Sequence, residues 1–189
     1  MTSYLLAGPA TEPLSLGEAK AFLKVEDAAE DGLIATLIAA ARLHVEGTTG
    51  RAAVAQTWRL VLDAWPLDGE VRLPVGPVQS LVAVTGYDDE GEAHELELGQ
   101  FALFGGELLL VPANVEGAPG LRRRRGLEVD YVAGYGSEAD DVPADLRQAM
   151  LALVAYWHAN RDAVIVAGSG AVVPSGFERM IAPYRRVRL

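Results

Sequence analysis

The chain has 189 residues, half of them apolar, with a formal charge of -10 and a sequence pI of about 4.7. That length fits one domain, or a compact core with one sizeable insertion, and the acidity argues against gripping DNA over the whole surface. With no cysteine, neither disulfides nor thiolate metal sites exist. The start, Met1-Thr2-Ser3-Tyr4-Leu5-Leu6, lacks the basic region of a signal peptide. The longest apolar run, Ala149 to Trp157, is about half of the roughly 18 residues a spanning helix needs. The expectation is a chain that is soluble and intracellular at synthesis.

Ser15-Leu16-Gly17-Glu18 has the spacing of a capping box and predicts a short helix through about Leu23. Asp27-Ala28-Ala29-Glu30 repeats the pattern. Behind it Leu33, Ile34, Leu37, Ile38, Ala41 and Val45 recur with period 3.6, one stripe of a second helix. Gly47 and then Thr48-Thr49-Gly50 predict its end. Past Arg51 the period becomes two: Trp58, Leu60 and Leu62 alternate with Arg59 and Val61. Further strands are predicted at Val71 to Leu73, Val78 to Tyr87, His94 to Leu98, Gln100 to Phe104, Glu107 to Val111 and Leu127 to Val132. Asp88-Asp89-Glu90-Gly91 and Gly105-Gly106 turn between them. A last long helix begins at Pro143, with Leu146, Ala149, Met150, Leu153, Val154 and Trp157 as one stripe. Its natural partner is the stripe from Leu33 to Val45. Val164 to Pro174 predicts a glycine-broken connector, and Gly176 to Met180 a final turn.

These elements predict an α+β fold: a small α-helical bundle with an inserted antiparallel β domain and a flexible C-terminal arm. The expected boundaries are helices in residues 1–52, the β region in 53–136, the long helix in 137–165, and linker and arm in 166–189.

No catalytic set converges. His44, His94 and His158 lie on three different elements, with no metal-binding spacing among them. Asp88-Asp89-Glu90-Gly91-Glu92 lacks calcium-loop spacing and reads as a solvated hairpin tip. Gly168-Ser169-Gly170 lacks the frame of a nucleophile elbow. No catalytic residue, metal ligand or cofactor is predicted. Charge is the stronger signal. From Val61 to Gly120 there are eleven acids against one base, Arg72, whereas Ala171 to Leu189 carries four arginines against Glu178. Two segments stand out as candidate contact sites. Arg122, Arg123, Arg124 and Arg125 form either a solvated loop offsetting an acidic sheet or a contact for DNA phosphates or an acidic neighbouring subunit. Phe177, Met180, Ile181, Tyr184, Arg185, Arg186 and Arg188 fit a docking arm, with the aromatic and arginine side chains that interfaces enrich, or a terminus packed on its own domain. On the arm reading, which is preferred, deleting residues 177–189 leaves the fold intact.

As an ordered set the segments resemble the head–tail connector (adaptor) proteins of long-tailed bacteriophages and phage-like gene transfer agents. The matching pieces are Leu14 to Val25, Leu33 to Arg42, Thr49-Gly50-Arg51, Gln56-Thr57-Trp58, Leu73 to Leu81, Tyr131 to Gly136, Val142-Pro143 and the helix end from Tyr156 to Arg161. The resemblance implies a structural, non-catalytic subunit of a ring, dodecameric in the particle, below the portal protein. It implies neighbouring adaptor subunits, a stopper or tail terminator on the far side, and DNA passing through the lumen without sequence recognition. It also implies a place in the particle neck, with host cytoplasm during assembly, and a C-terminal arm that docks on the portal. Competing readings are another neck or tail-completion protein, a DNA-binding module using Arg122 to Arg125, and a hydrolase with an acidic site around Asp88 to Glu97.

Overall fold

The computed structural model describes residues 1–160 and 173–186. They divide into two compact units. One comprises Met1–Ala10 and Ala55–Tyr135, the other Thr11–Val54 and Gly136–Leu189. The first ten residues therefore join the strand-rich unit and not the helices.

The helical unit starts as its sequence predicts. The Ser15 hydroxyl accepts from the Glu18 N–H at 3.1 Å, and Glu18 Oε2 accepts from the Ser15 N–H at 2.9 Å. This box caps α1 (Leu16–Leu23). The Ser15 backbone N–H holds the Glu18 carboxyl below its ordinary range, with the Ser15 hydroxyl and Arg147 adding to the effect. Asp27 caps a short 3₁₀ turn, Ala28–Glu30, but Glu30 closes no second box; its carboxylate lies 2.8 Å from His158 Nε2. Helix α2 (Asp31–Thr49) runs through Gly47 and ends at Gly50, which adopts φ 70°. The end therefore falls within the predicted Gly47 to Gly50 stretch, at its last glycine, where Thr49 is buried and its hydroxyl donates to the Val45 carbonyl.

Pro143 precedes α3 (Ala144–Ala159), and its carbonyl accepts from the N–H groups of Leu146 and Arg147. All six stripe residues of α3 are buried, and they pack on Ile34, Ile38, Ala41 and Val45 of α2. Leu33, placed in that stripe above, is 37% exposed. Arg42 is buried yet stays charged. Desolvation works against it, but Glu12 at 2.8 Å and Glu46 at 3.0 Å outweigh that cost. A fourth helix, α4 (Phe177–Ile181), packs on α3.

The other unit contains two antiparallel sheets. β1 (Thr2–Ala7), β2 (Gln56–Leu62), β8 (Leu127–Ala133), β4 (Val78–Tyr87) and β5 (Ala93–Glu95) form a five-stranded sheet in that order. β3 (Glu70–Arg72), β7 (Leu108–Leu110) and β6 (Ala102–Phe104) form a three-stranded one. Gly105, Gly106 and Glu107 make the three-residue turn between β6 and β7, and the two glycines, at φ 61° and 66°, take its left-handed positions. One face of the larger sheet is apolar: Leu60, Val84, Leu127, Val129 and Tyr131 are fully buried. The Tyr131 hydroxyl reaches the Val75 N–H at 3.3 Å, while Val71, Leu73 and Leu109 complete the core. The register pairs Tyr4 with Arg59 and Arg59 with Asp130, so the opposite face is polar.

Candidate functional site

The polar face of the larger sheet carries a charge network. Arg59 on β2 makes a two-point contact with Asp130, Nε to Oδ1 at 2.6 Å and Nη2 to Oδ2 at 2.7 Å. Its Nη1 reaches Glu128 at 2.7 Å. Glu128 and Asp130 lie on one face of β8, two residues apart, and both are buried. Asp130's hydrogen bonds, opposed by burial and joined by Glu128, push the Arg59 guanidinium to hold its proton more tightly. The Tyr87 hydroxyl on β4 donates to Glu128 Oε2 at 3.1 Å. Burial, and then Glu128, raises the Tyr87 phenol.

The network leads into the arginine run. The Arg122 guanidinium lies 4.4 Å above the centre of the Tyr87 ring. Its Nε and Nη2 donate to the Arg125 carbonyl at 3.1 and 2.9 Å. The Arg122 N–H donates to the Tyr87 carbonyl, and the Tyr87 N–H to the Gly126 carbonyl. Asp63 Oδ1 accepts from the Arg125 N–H at 2.8 Å, and Arg125 is held at φ 53°. Gly126 has no room for a side chain: a Cβ there would stand 2.6 Å from the Arg122 carbonyl oxygen. The four arginines, alike in sequence, thus have two roles. Arg122 is a strut, half-buried against Tyr87. Arg123, Arg124 and Arg125 are exposed, and their side chains make no hydrogen bond or ion pair with any described residue.

The C-terminal segment differs from the free arm expected above. Phe177 and Ile181 are fully buried in the helical unit. The Phe177 ring lies 5.4 Å from that of His44, which also meets Trp157 edge-on at 5.8 Å. Burial lowers the His44 pKa, with Glu178 opposing the shift. Arg51 Nε donates to the Tyr184 carbonyl at 2.7 Å, and the Arg186 N–H to the Thr49 carbonyl at 3.3 Å. The Tyr184 phenol is raised by burial and then by Asp145, 3.5 Å away. Arg185 pairs with Glu178. Met180 is half-buried. The spacing of Phe177, Ile181 and Tyr184 suits self-packing, because α2 and α3 supply an apolar slot from residues more than a hundred positions earlier or on the preceding helix. Arg188 and most of the connector predicted over Val164 to Pro174, including Gly168-Ser169-Gly170, lie outside the described residues.

No group of His, Cys, Asp or Glu among the described residues could hold a metal ion. His94 pairs with Asp88 at 2.8 Å, and that hydrogen bond, against a small desolvation, lowers the Asp88 carboxyl. The acidic hairpin tip is therefore closed on itself. A surface hollow of about 420 Å³ in the helical unit is lined by Leu14, Leu16 and Ile38, and the Ser15 hydroxyl at its edge is taken up by the capping box of α1, between the Glu18 N–H and the Glu18 carboxylate. No described helix is long and apolar enough to cross a membrane.

No protein-family model matches the sequence, and no curated protein matches it. Solved structures do. A chain from the neck of an empty gene transfer agent (GTA) particle, computed with C6 symmetry, matches with a TM-score of 0.81 at 25% identity; the match covers 100% of this chain and 97% of that one. A chain from the virion of a native gene transfer agent particle gives 0.79 at 24% identity over the same shares. One from the neck of a native GTA particle computed with C12 symmetry gives 0.73 at 25% identity, again over 100% and 97%. Over its whole length the chain has the α+β fold of a phage-like neck protein.

Proposed function

We propose that this protein is a head–tail connector (adaptor) subunit of a phage-like particle: a non-catalytic ring component that sits below the portal, extends the DNA channel and presents a platform for the next neck or tail component. The observation that carries this reading is the end-to-end match to chains of gene transfer agent necks, in which almost nothing of either chain is left over. A connector needs no turnover. It needs a rigid body and surfaces for its neighbours, and the described residues supply two compact units with well-filled cores. Symmetric neck particles among the matches favour a ring of copies.

The charge pattern fits a channel. DNA slides past acidic or neutral walls and adheres to arginines, so the acidic surplus of residues 61–120 suits surfaces that face DNA at a distance. For the portal contact we assign the C-terminal segment. Phe177, Ile181, Met180 and Tyr184 seat it on the helical unit, while Arg185, Arg186 and Arg188 form its basic end. The test is electron microscopy of necks reconstituted from this chain with its portal. The expected result is a ring of this chain directly below the portal. A ring at the tail side of another ring would make it a different neck protein, and a chain found in no particle would end the reading.

A further inference from the structure

We infer that Arg123, Arg124 and Arg125 form a preorganised contact for the phosphate backbone of double-stranded DNA, with Arg122 and Tyr87 as positioning residues. The inference rests on the connector reading, which brings DNA past this chain, and specifies where the chain touches it.

Three free guanidinium groups on consecutive residues repel one another, and no described residue pairs with them. They are nonetheless held in a fixed loop. Arg122 spends its own charge inside the loop, clamped on the Arg125 carbonyl and stacked on Tyr87. Tyr87 is tied through Glu128 to Arg59 and Asp130, so a chain of charge-assisted contacts across β4, β8 and β2 ends at the loop. Asp63 pins the other side through the Arg125 N–H. A loop fixed this way loses little freedom when an anion arrives.

The chemistry around the tip selects the kind of anion. A protein interface of useful strength needs buried apolar or aromatic anchors, and the apolar and aromatic residues that the structure places around this loop, Tyr87, Pro119 and Leu121, are half-buried and not presented as free anchors. Stacking on unpaired bases needs an exposed aromatic face, and Tyr87 has given its ring to Arg122. What remains is charge alone, which suits the sequence-independent backbone of a duplex. The neighbouring turn carries exposed Asp89, Glu90 and Glu92. These repel the same duplex, so the contact is local and easily broken, as a strand that must keep moving requires.

The test is a titration of the full chain with a 30-base-pair duplex, followed by fluorescence anisotropy at several salt concentrations. Three phosphate contacts at a slope of about -0.9 each predict roughly 40-fold weaker binding at 200 mM than at 50 mM salt. The variant R123Q/R124Q/R125Q should lose this dependence while its thermal midpoint stays that of the parent, since the three side chains are exposed. R122Q keeps the three free charges but loses the clamp, and should bind more weakly; parental binding by R122Q would overturn the positioning role. Parental binding by the triple variant, or poly-glutamate bound as tightly as the duplex, would overturn the assignment to DNA. Ring formation is scored separately by microscopy. Necks that form from a chain with a flat DNA titration overturn this inference alone, while a normal titration from a chain that enters no neck overturns the connector reading alone.

Discussion

Phe177→Ala decides whether the C-terminal segment is part of the fold or a detachable arm. The ring is fully buried, lies 5.4 Å from His44, and belongs to a helix seated on α3. Removing a buried side chain of this size forfeits about 1.5–3 kcal/mol of transfer free energy. The cavity left between α2 and α3 brings the cost to roughly 3–5 kcal/mol. For a unit of about 100 residues each kcal/mol shifts the thermal midpoint by about 4–8 °C, so the expected fall is on the order of 12–40 °C. Because two units are present, the probe must report on one of them. In a W58F/W65F background Trp157 is the sole tryptophan, and its fluorescence follows the helical unit. Arg185→Ala is the control: it removes an exposed pair with Glu178 and should cost no more than about 1 kcal/mol. A Phe177→Ala midpoint indistinguishable from that of the Arg185→Ala control would refute the packing argument and restore the free arm.

Arg59→Met should cost about 3–5 kcal/mol in urea unfolding followed by far-ultraviolet circular dichroism, because Glu128 and Asp130 would remain buried without their cation. A silent substitution would mean that water or another group neutralises them. His44 gives a pH dependence. Its folded pKa lies below the ordinary value of about 6.5, so the unfolded chain binds the proton first, and stability is full above that value and lost as pH falls toward the folded one. Thermal melts from pH 7.5 to 5.0 should show a larger fall for the parent than for His44→Gln; parallel curves would remove His44 as the cause.

Much of the helical unit is written in local pattern. The Ser15 box is a contact within a few residues and the α3 stripe a periodicity within one segment, and both appear where spacing puts them, although the stripe is buried by α2. What escaped depends on remote partners. Strand β1 shows little alternation in burial and is mostly exposed; it is a strand because Thr2 to Leu5 pair with β2, more than fifty residues away. Phe177 and Ile181 read equally well as anchors or as core, since the surface that receives them comes from other helices. The four arginines from Arg122 to Arg125 are identical as letters. Only Tyr87 and the Arg125 carbonyl distinguish a strut from three free charges.

The pairing of Thr2 with Val61 sets an order of events during synthesis. Strand β1 must stay unsatisfied while α1 and α2 emerge, and closing so long a loop carries an entropic cost before any ladder forms. Helical pieces near the start can condense at once, whereas the larger sheet waits for β8, its central strand and the last one made. A nascent chain halted near residue 120 would lack β8 and leave Leu60 and Val84, which are fully buried beside Val129 in the finished sheet, without that neighbour, and chaperone demand should peak at that length.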